Sequence, residues 1–383
     1  MSIIHFPKLS NTIWKHIDCV INTDKPGIFI SFSLYKYLYE ICIRTSRDHL
    51  FFLQNTEVNT SVSYSMHSYG INEYKNIASI CVYKPVSDLY FKLIETVQSL
   101  RFTIKENIYE NFVMFSVGKN PYSAIEPFYH TRKNNKDKYF GIETTNITRH
   151  KEENPPGILP FTKIPFTCDD PQFMKYIVEH HKNIANFVFC EGGDDSYPEF
   201  IKNEQLFAEI FAALCLQKKG GCLIVKLTDC FQKSSIDIIY ILSSMYDKTY
   251  ISKPMISPQS SSERFLVCTN FTFSDCNDYY KVFEQALEKI RNKKKDETID
   301  SFLSTTNIPL FFKTKMEECN VIIGQQQLEN IHRTFLHGEN IYENMEILNN
   351  KKNIMWCDKY NIEHNQKEFE NNIKNNIFRQ ANI

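Results

Sequence analysis

Glu191, Lys226 and Glu263 are the residues of this 383-residue sequence whose types and spacing best suit chemistry. Glu191 opens EGGDDS (191–196), Lys226 closes the apolar run GCLIVK (221–226), and Glu263 directly precedes RFLVC (264–268). The intervals are 35 and 37 residues, each about one β-α-β step. An ammonium group in an apolar strand costs desolvation free energy unless something pairs it. Taken alone, Lys226 also reads as a strand-end lysine whose head reaches water. In open α/β sheets the carboxyl ends of strands face the ligand crevice. Two carboxylates bracketing one lysine there leave two readings, a catalytic arrangement or a paired structural network.

The elements that must position these residues are short apolar runs separated by helical stretches. The runs are FVMFSV (112–117), KYFGIE (138–143), NFVFCE (186–191), GCLIVKL (221–227), KTYISKP (248–254) and RFLVCTNF (264–271). Helical patterns lie between them at 171–180, 204–217 and 234–246. Such alternation predicts an α/β fold with a mostly parallel sheet buried on both faces. Five residues of Pro or Gly make 150–170 a loop. Before the core, 27–44 and 86–100 have helical spacing, the second with an apolar stripe of Leu89, Leu93, Val97 and Leu100. Beyond about 274 the strands are expected to stop, leaving helices at 279–295, 325–336 and 342–360 and a polar tail that frays. The resulting division is an N-terminal extension (1–110), a core (111–273) and a helical C-terminal extension (274–383).

Composition bounds the possibilities. Forty-four basic against 45 acidic residues give a net charge of −1, so no overall basic field marks a nucleic-acid binder. A small RNA site in one cleft remains compatible with that balance. Twelve cysteines without a CxxC pair read as buried free thiols in a reducing compartment, and no metal site is expected. The first residues lack the charged and apolar regions of a signal peptide. The apolar segments 207–216 and 236–246 are too short or too polar to span a bilayer. A cytoplasmic protein without a membrane partner is the expectation.

KKGGCLIVKLTDCF (218–231), IDIIYILSSMYDKTYISKP (236–254) and SSSERFLVC (260–268), taken in order, resemble the closing half of the FtsJ-like and mRNA cap ribose 2′-O-methyltransferases. Lys226 matches that family's second catalytic lysine, Glu263 its glutamate, and Lys253-Pro254 its Lys-Pro pair. With its weaker first half, the resemblance runs from Phe112 to Phe273. It implies a Rossmann-like class I methyltransferase core, S-adenosylmethionine as cofactor, and methyl transfer to an RNA 2′-hydroxyl, with capped mRNA as substrate. In that mechanism Lys226 helps deprotonate the hydroxyl or holds the alkoxide, and a first lysine lowers the hydroxyl's pKa. Lys36, on a helical segment N-terminal to the sheet, resembles that first lysine. An ordinary exposed lysine is the alternative.

Two departures accompany the resemblance. Glu191 stands where the family has an aspartate, one methylene longer, about 1 Å in a site where such misplacement is costly. The cofactor loop after the first strand is GKNPY (118–122), with Gly118 and Lys119 where the family has a Gly-rich turn. Glu143 is placed to hold ribose hydroxyls, with a solvated loop carboxylate as the alternative. Asp169 or Asp170 meets the adenine edge or caps the following helix. The C-terminal helices resemble the extension of the cap-modifying enzymes of large cytoplasmic DNA viruses. That branch implies the host cytoplasm or the virion, and a protein partner in a capping or transcription assembly. The competing reading is a pseudo-methyltransferase serving as an RNA- or protein-binding scaffold. The loop 118–122 separates the two, and its composition predicts weak or absent cofactor binding by the isolated chain.

Overall fold

The apolar runs pair into one eight-stranded sheet, seen in a computed structural model that describes residues 2–41, 77–100, 111–144, 161–168, 170–193, 198–337 and 342–365. Its strand order is β1-β8-β9-β7-β6-β3-β4-β5. The strands are β1 (Ser2–Phe6), β3 (Val113–Gly118), β4 (Lys138–Glu143), β5 (Thr162–Lys163), β6 (Ala185–Cys190), β7 (Gln217–Leu227), β8 (Tyr246–Lys253) and β9 (Arg264–Phe271). From β7 through β5 every pair is parallel, whereas β7–β9, β9–β8 and β8–β1 are antiparallel. The described helices are α1 (32–41), α2 (Ile77–Ile80), α3 (Leu89–Ser99), α4 (Tyr122–Arg132), α5 (Phe173–His180), α6 (Glu199–Leu216), α7 (Lys233–Met245), α8 (Tyr280–Asn292), α9 (Leu310–His337) and α10 (Tyr342–Tyr360).

Strand side chains alternate between the two faces of a sheet, and the central strands are apolar at nearly every position because both faces are covered. Val188, Leu223, Val225 and Leu266 pack with α6, α7 and α8. Phe187, Phe189, Ile224, Phe265 and Val267 pack on the other face with Leu93 and Val97 of α3 and Ala124, Ile125 and Phe128 of α4.

The extensions are less separate than the sequence suggests. β1 is the edge strand of the main sheet, in register from Ser2↔Lys253 to Phe6↔Thr249. A strand does occur beyond residue 274: β10 (Thr298–Leu303) pairs antiparallel with β2 (Ile17–Asn22). Its positions Ile299, Ser301, Phe302 and Leu303 are buried, but six residues beside a charge run give a weak local signal, and its partner lies far back in the chain. β5 likewise interrupts the region read as loop. α9 begins 15 residues earlier than its sequence pattern, because Gly324 reads as a helix boundary. Here it makes room for α1, since a Cβ would lie 2.9 Å from Leu34 Cδ2. Among the described residues no helix is long and apolar enough to cross a membrane.

Candidate active site

Register brings the chemically capable residues to one face and one end of the sheet. Cys190 pairs with Val225 in parallel, and Lys226 pairs with Phe265 in antiparallel fashion. Counting by two, Glu191, Lys226 and Glu263 continue the rows of Phe189, Ile224 and Phe265, on the face covered by α3 and α4. Gly118 and Glu143, which are register partners, end the same face on β3 and β4. Three sequence-predicted catalytic residues and two of the cofactor residues therefore lie along one carboxyl edge.

Glu263 is buried and doubly held. Lys92 Nζ lies 3.1 Å from its Oε1 and 2.8 Å from its Oε2, and Ser257 Oγ donates to Oε2 at 2.9 Å. Burial alone would raise this carboxyl's pKa. The charges of Lys92 and Lys226, with the hydrogen bonds from Lys92 and Ser257, outweigh it and hold the group at about 2. The Lys92 ammonium is buried too; the nearby Glu263 and Asp88 carboxylates overcome the desolvation and keep it firmly protonated. Lys253 of the Lys-Pro pair is buried on the opposite side. It donates to the carbonyls of Ser261 and Glu263, so it holds the turn that presents Glu263. Burial and the neighbouring Arg264 lower its pKa to about 7.

The first lysine of the sequence reading needs correction. Lys36 is exposed on α1 and makes no ion pair among the described residues. The lysine bonded to Glu263 is Lys92, on the helix that precedes the first parallel strand. Its signal was present: Lys92 lies three residues after Leu89 and one before Leu93, inside the apolar stripe of α3, where an ordinary lysine seldom sits.

A pH test follows from Glu263. A folded-state pKa depressed from the ordinary value near 4.5 to about 2 stabilises the fold above pH ~4.5. That contribution, about 3 kcal/mol, is lost as pH falls through the folded value. Urea unfolding between pH 5 and pH 2.5 should show a steep loss of stability that is much shallower in Glu263→Gln. Equal slopes in the two proteins would show that this carboxylate is not the one held down.

Glu191 reaches across the crevice to the loop after β3. Its backbone N–H donates to Val117 O at 2.9 Å, and Asn120 N–H donates to its Oε2 at 3.1 Å. A side chain at Gly118 would run into the Glu191 carboxylate, so glycine is required by that approach. Behind Glu191, Gly192 has φ +82° and lies so close to the Lys226 carbonyl that a Cβ would collide with it. Gly192 N–H donates to the buried Glu209 of α6 at 3.1 Å. Burial, aided by the Glu191 charge and opposed by the Gly192 amide and Lys226, pushes the Glu209 pKa up to about 8.

The crevice lies where the strand order reverses, between the parallel neighbours β3 and β6, the place where such sheets bind ligands. Its groups fit a nucleoside cofactor with an amino-acid tail. The Asn120 amide is directed at a carboxylate, that of Glu191, and is of the kind that can hold the carboxylate of such a tail. Lys119 lies beside it in the chain. Glu143 ends β4 at the same edge, partly exposed and paired with Lys163 at 2.6 Å. Pro121 and Phe161 pack over Gly141 of β4 and narrow the space. Asp169 lies outside the described residues. Asp170 accepts the Gln172 N–H at 2.8 Å and so caps the approach to α5. Among the described residues, no group of three or more His, Cys, Asp or Glu is placed to hold a metal ion.

A mainly parallel α/β sheet with lysines and glutamates gathered at its carboxyl edge is a Rossmann-like methyltransferase core. Residues 115–271 match the model of the FtsJ-like methyltransferase family. Over 76 residues the chain is 40% identical to the cap-specific mRNA (nucleoside-2′-O-)-methyltransferase 1 of Trypanosoma cruzi, covering 20% of this chain and 21% of that protein. Over 153 residues it is 27% identical to the inactive cap-specific mRNA (nucleoside-2′-O-)-methyltransferase 1B of Caenorhabditis briggsae, covering 38% of this chain and 18% of that protein. The chain thus spans about a fifth of the length of these relatives. A Plasmodium falciparum structure described as a ribosomal RNA methyltransferase aligns over 48% of this chain and 97% of that one, with 19% identity and a TM-score of 0.35.

Proposed function

We propose that this chain is an S-adenosylmethionine-dependent RNA ribose 2′-O-methyltransferase acting on capped mRNA. The observation that carries the reading is the convergence of Glu191, Lys226 and Glu263 on one sheet face, with Lys92 of α3 bonded to Glu263. When bound, S-adenosylmethionine supplies an electrophilic methyl group. The protein's part is to prepare the hydroxyl that receives it. Lys226 takes the 2′-hydroxyl proton or holds the developing alkoxide, with Glu191 and Glu263 orienting its side chain. Lys92 adds a second positive charge to the same pocket, which lowers the hydroxyl's pKa. Because Glu263 stays ionised down to about pH 2, that orienting charge is constant across the physiological range.

RNA as the acceptor is supported by α1. Phe32, Lys36 and Tyr39 are exposed at i, i+4 and i+7, on one helix face, and the Tyr35 ring contacts Phe231 with centroids 5.3 Å apart. Phe231 lies four residues beyond the end of β7, so a face of rings and one cation lies close in the chain fold to the strand that carries Lys226. Unstacked bases bind such surfaces. The reading extends to a cytoplasmic capping assembly of a large DNA virus, supported by the helices α9 and α10 that follow the core.

The scaffold reading keeps one specific support, the Glu191–Asn120 bond inside the cofactor crevice. Calorimetric titration with S-adenosylhomocysteine separates the two. In the enzyme, cofactor must displace Glu191 from the amide, so Glu191→Asp, one methylene shorter, should bind about tenfold more tightly than wild type, the worth of one charged hydrogen bond. No heat from either protein at millimolar ligand, with capped RNA present, would favour the scaffold.

A further inference from the structure

Glu95 is a fully buried carboxylate with no cationic partner among the described residues. It lies three residues beyond Lys92 on α3 and accepts three N–H groups. Met255 N–H donates to Oε1 at 2.8 Å, and Ile256 N–H and the Trp356 indole Nε1–H donate to Oε2 at 3.2 and 3.0 Å. Burying an ionised group costs several kcal/mol unless hydrogen bonds compensate it. Those bonds come from two places distant in sequence, the turn after β8 and helix α10.

The turn is the one that serves the active site. Ser257 N–H closes it by donating to Pro254 O at 3.3 Å, and Ser257 Oγ then donates to Glu263 Oε2. α3 therefore grips the Glu263 region twice, through Lys92 on the carboxylate and through Glu95 on the backbone of 255–256. α10 locks the second grip. Trp356 stacks edge-on against Phe91 of α3, with centroids 5.8 Å apart, in an apolar cluster with Ile94, Ile256 and Tyr360.

We infer that Glu95 is a positioning residue and that α10, outside the family-matched segment, is part of the active site's scaffold: Trp356 fixes Glu95, Glu95 fixes the 255–257 turn, and the turn sets the hydrogen bond that orients Glu263. The kinetic part of this inference rests on the proposed methyl transfer; the structural part does not.

The test uses the full chain as Trp356→Phe, which keeps an aromatic ring at the position but removes the indole N–H along with part of the ring volume, and as Glu95→Gln, which places an NH2 against a backbone donor. Hydrogen exchange at Met255 and Ile256 should accelerate about tenfold or more in both, while the amides of β6 and β7 keep their protection. The acid limb of stability assigned to Glu263 should move to higher pH as its Ser257 bond loosens. With capped RNA, kcat should fall about tenfold and KM for RNA stay unchanged, as expected when a group acts through another on the transition state. If wild type transfers no methyl group, the proposed function fails, and exchange and acid limb still decide the positioning role. Unchanged exchange at 255–257 with an unmoved acid limb would overturn the inference. So would a uniform loss of protection across β6 and β7 in both variants, which marks a merely structural residue.

Discussion

Lys226→Ala should lower the turnover number for RNA 2′-O-methylation by about a hundredfold to ten-thousandfold, the usual contribution of a positioned acid or base, with KM for RNA nearly unchanged. The side chain is half-buried at the end of β7, on the α3/α4 face. Removing it does not strand a buried carboxylate, because Glu263 keeps Lys92 and Ser257 and Glu191 keeps the Asn120 amide. The fold should therefore survive, and the loss should appear in kcat, as for an interaction made in the transition state. Steady-state kinetics on capped RNA, beside a thermal unfolding curve, would check both halves. A variant keeping more than a tenth of wild-type turnover would make Lys226 structural.

Lys92→Met should act on stability and activity together. The lysine is buried against a carboxylate that is itself buried. Breaking such a pair from one side costs about 3–5 kcal/mol, because the remaining charge is left uncompensated. The Asp88 contact adds little, since that carboxylate is largely exposed. Replacing both partners, as Lys92→Met with Glu263→Gln, should restore most of the stability while leaving methyl transfer undetectable. Urea unfolding of the single and double variants forms the relevant cycle. Equal destabilisation by the single and double changes would show that the pair is not what holds α3 to the Glu263 turn.

The contrast between Lys226 and Lys92 shows what the sequence could reveal. Glu191, Lys226 and Glu263 each close or open an apolar strand, so local pattern located the strand ends; β-α-β spacing placed Glu191 and Lys226 on one edge, whereas Glu263 reaches it because it precedes β9, which runs antiparallel to β7. β9 has the bounds read from its apolar run. Lys92 escaped because its meaning is tertiary. Its partner is 171 residues away, and the helix stripe around it was readable as packing alone. β10 and β1 were missed for the same reason, since each is defined by a distant partner, Asn22 to Ile17 for one and Lys253 to Thr249 for the other. Glu191 was legible as a departure, yet its bond to Asn120 required the crevice geometry, because a carboxylate's reach across two strands is set by their separation and not by either strand's residues.

Transfer of labelled methyl groups from S-adenosylmethionine to a capped RNA whose first nucleotide is unmethylated, followed by digestion to nucleosides, tests the central claim most directly. The account predicts label in a 2′-O-methylated nucleoside next to the cap, dependent on Lys226 and Lys92. Label in a methylated base, or none at all from protein that binds S-adenosylhomocysteine and the same RNA, would contradict it.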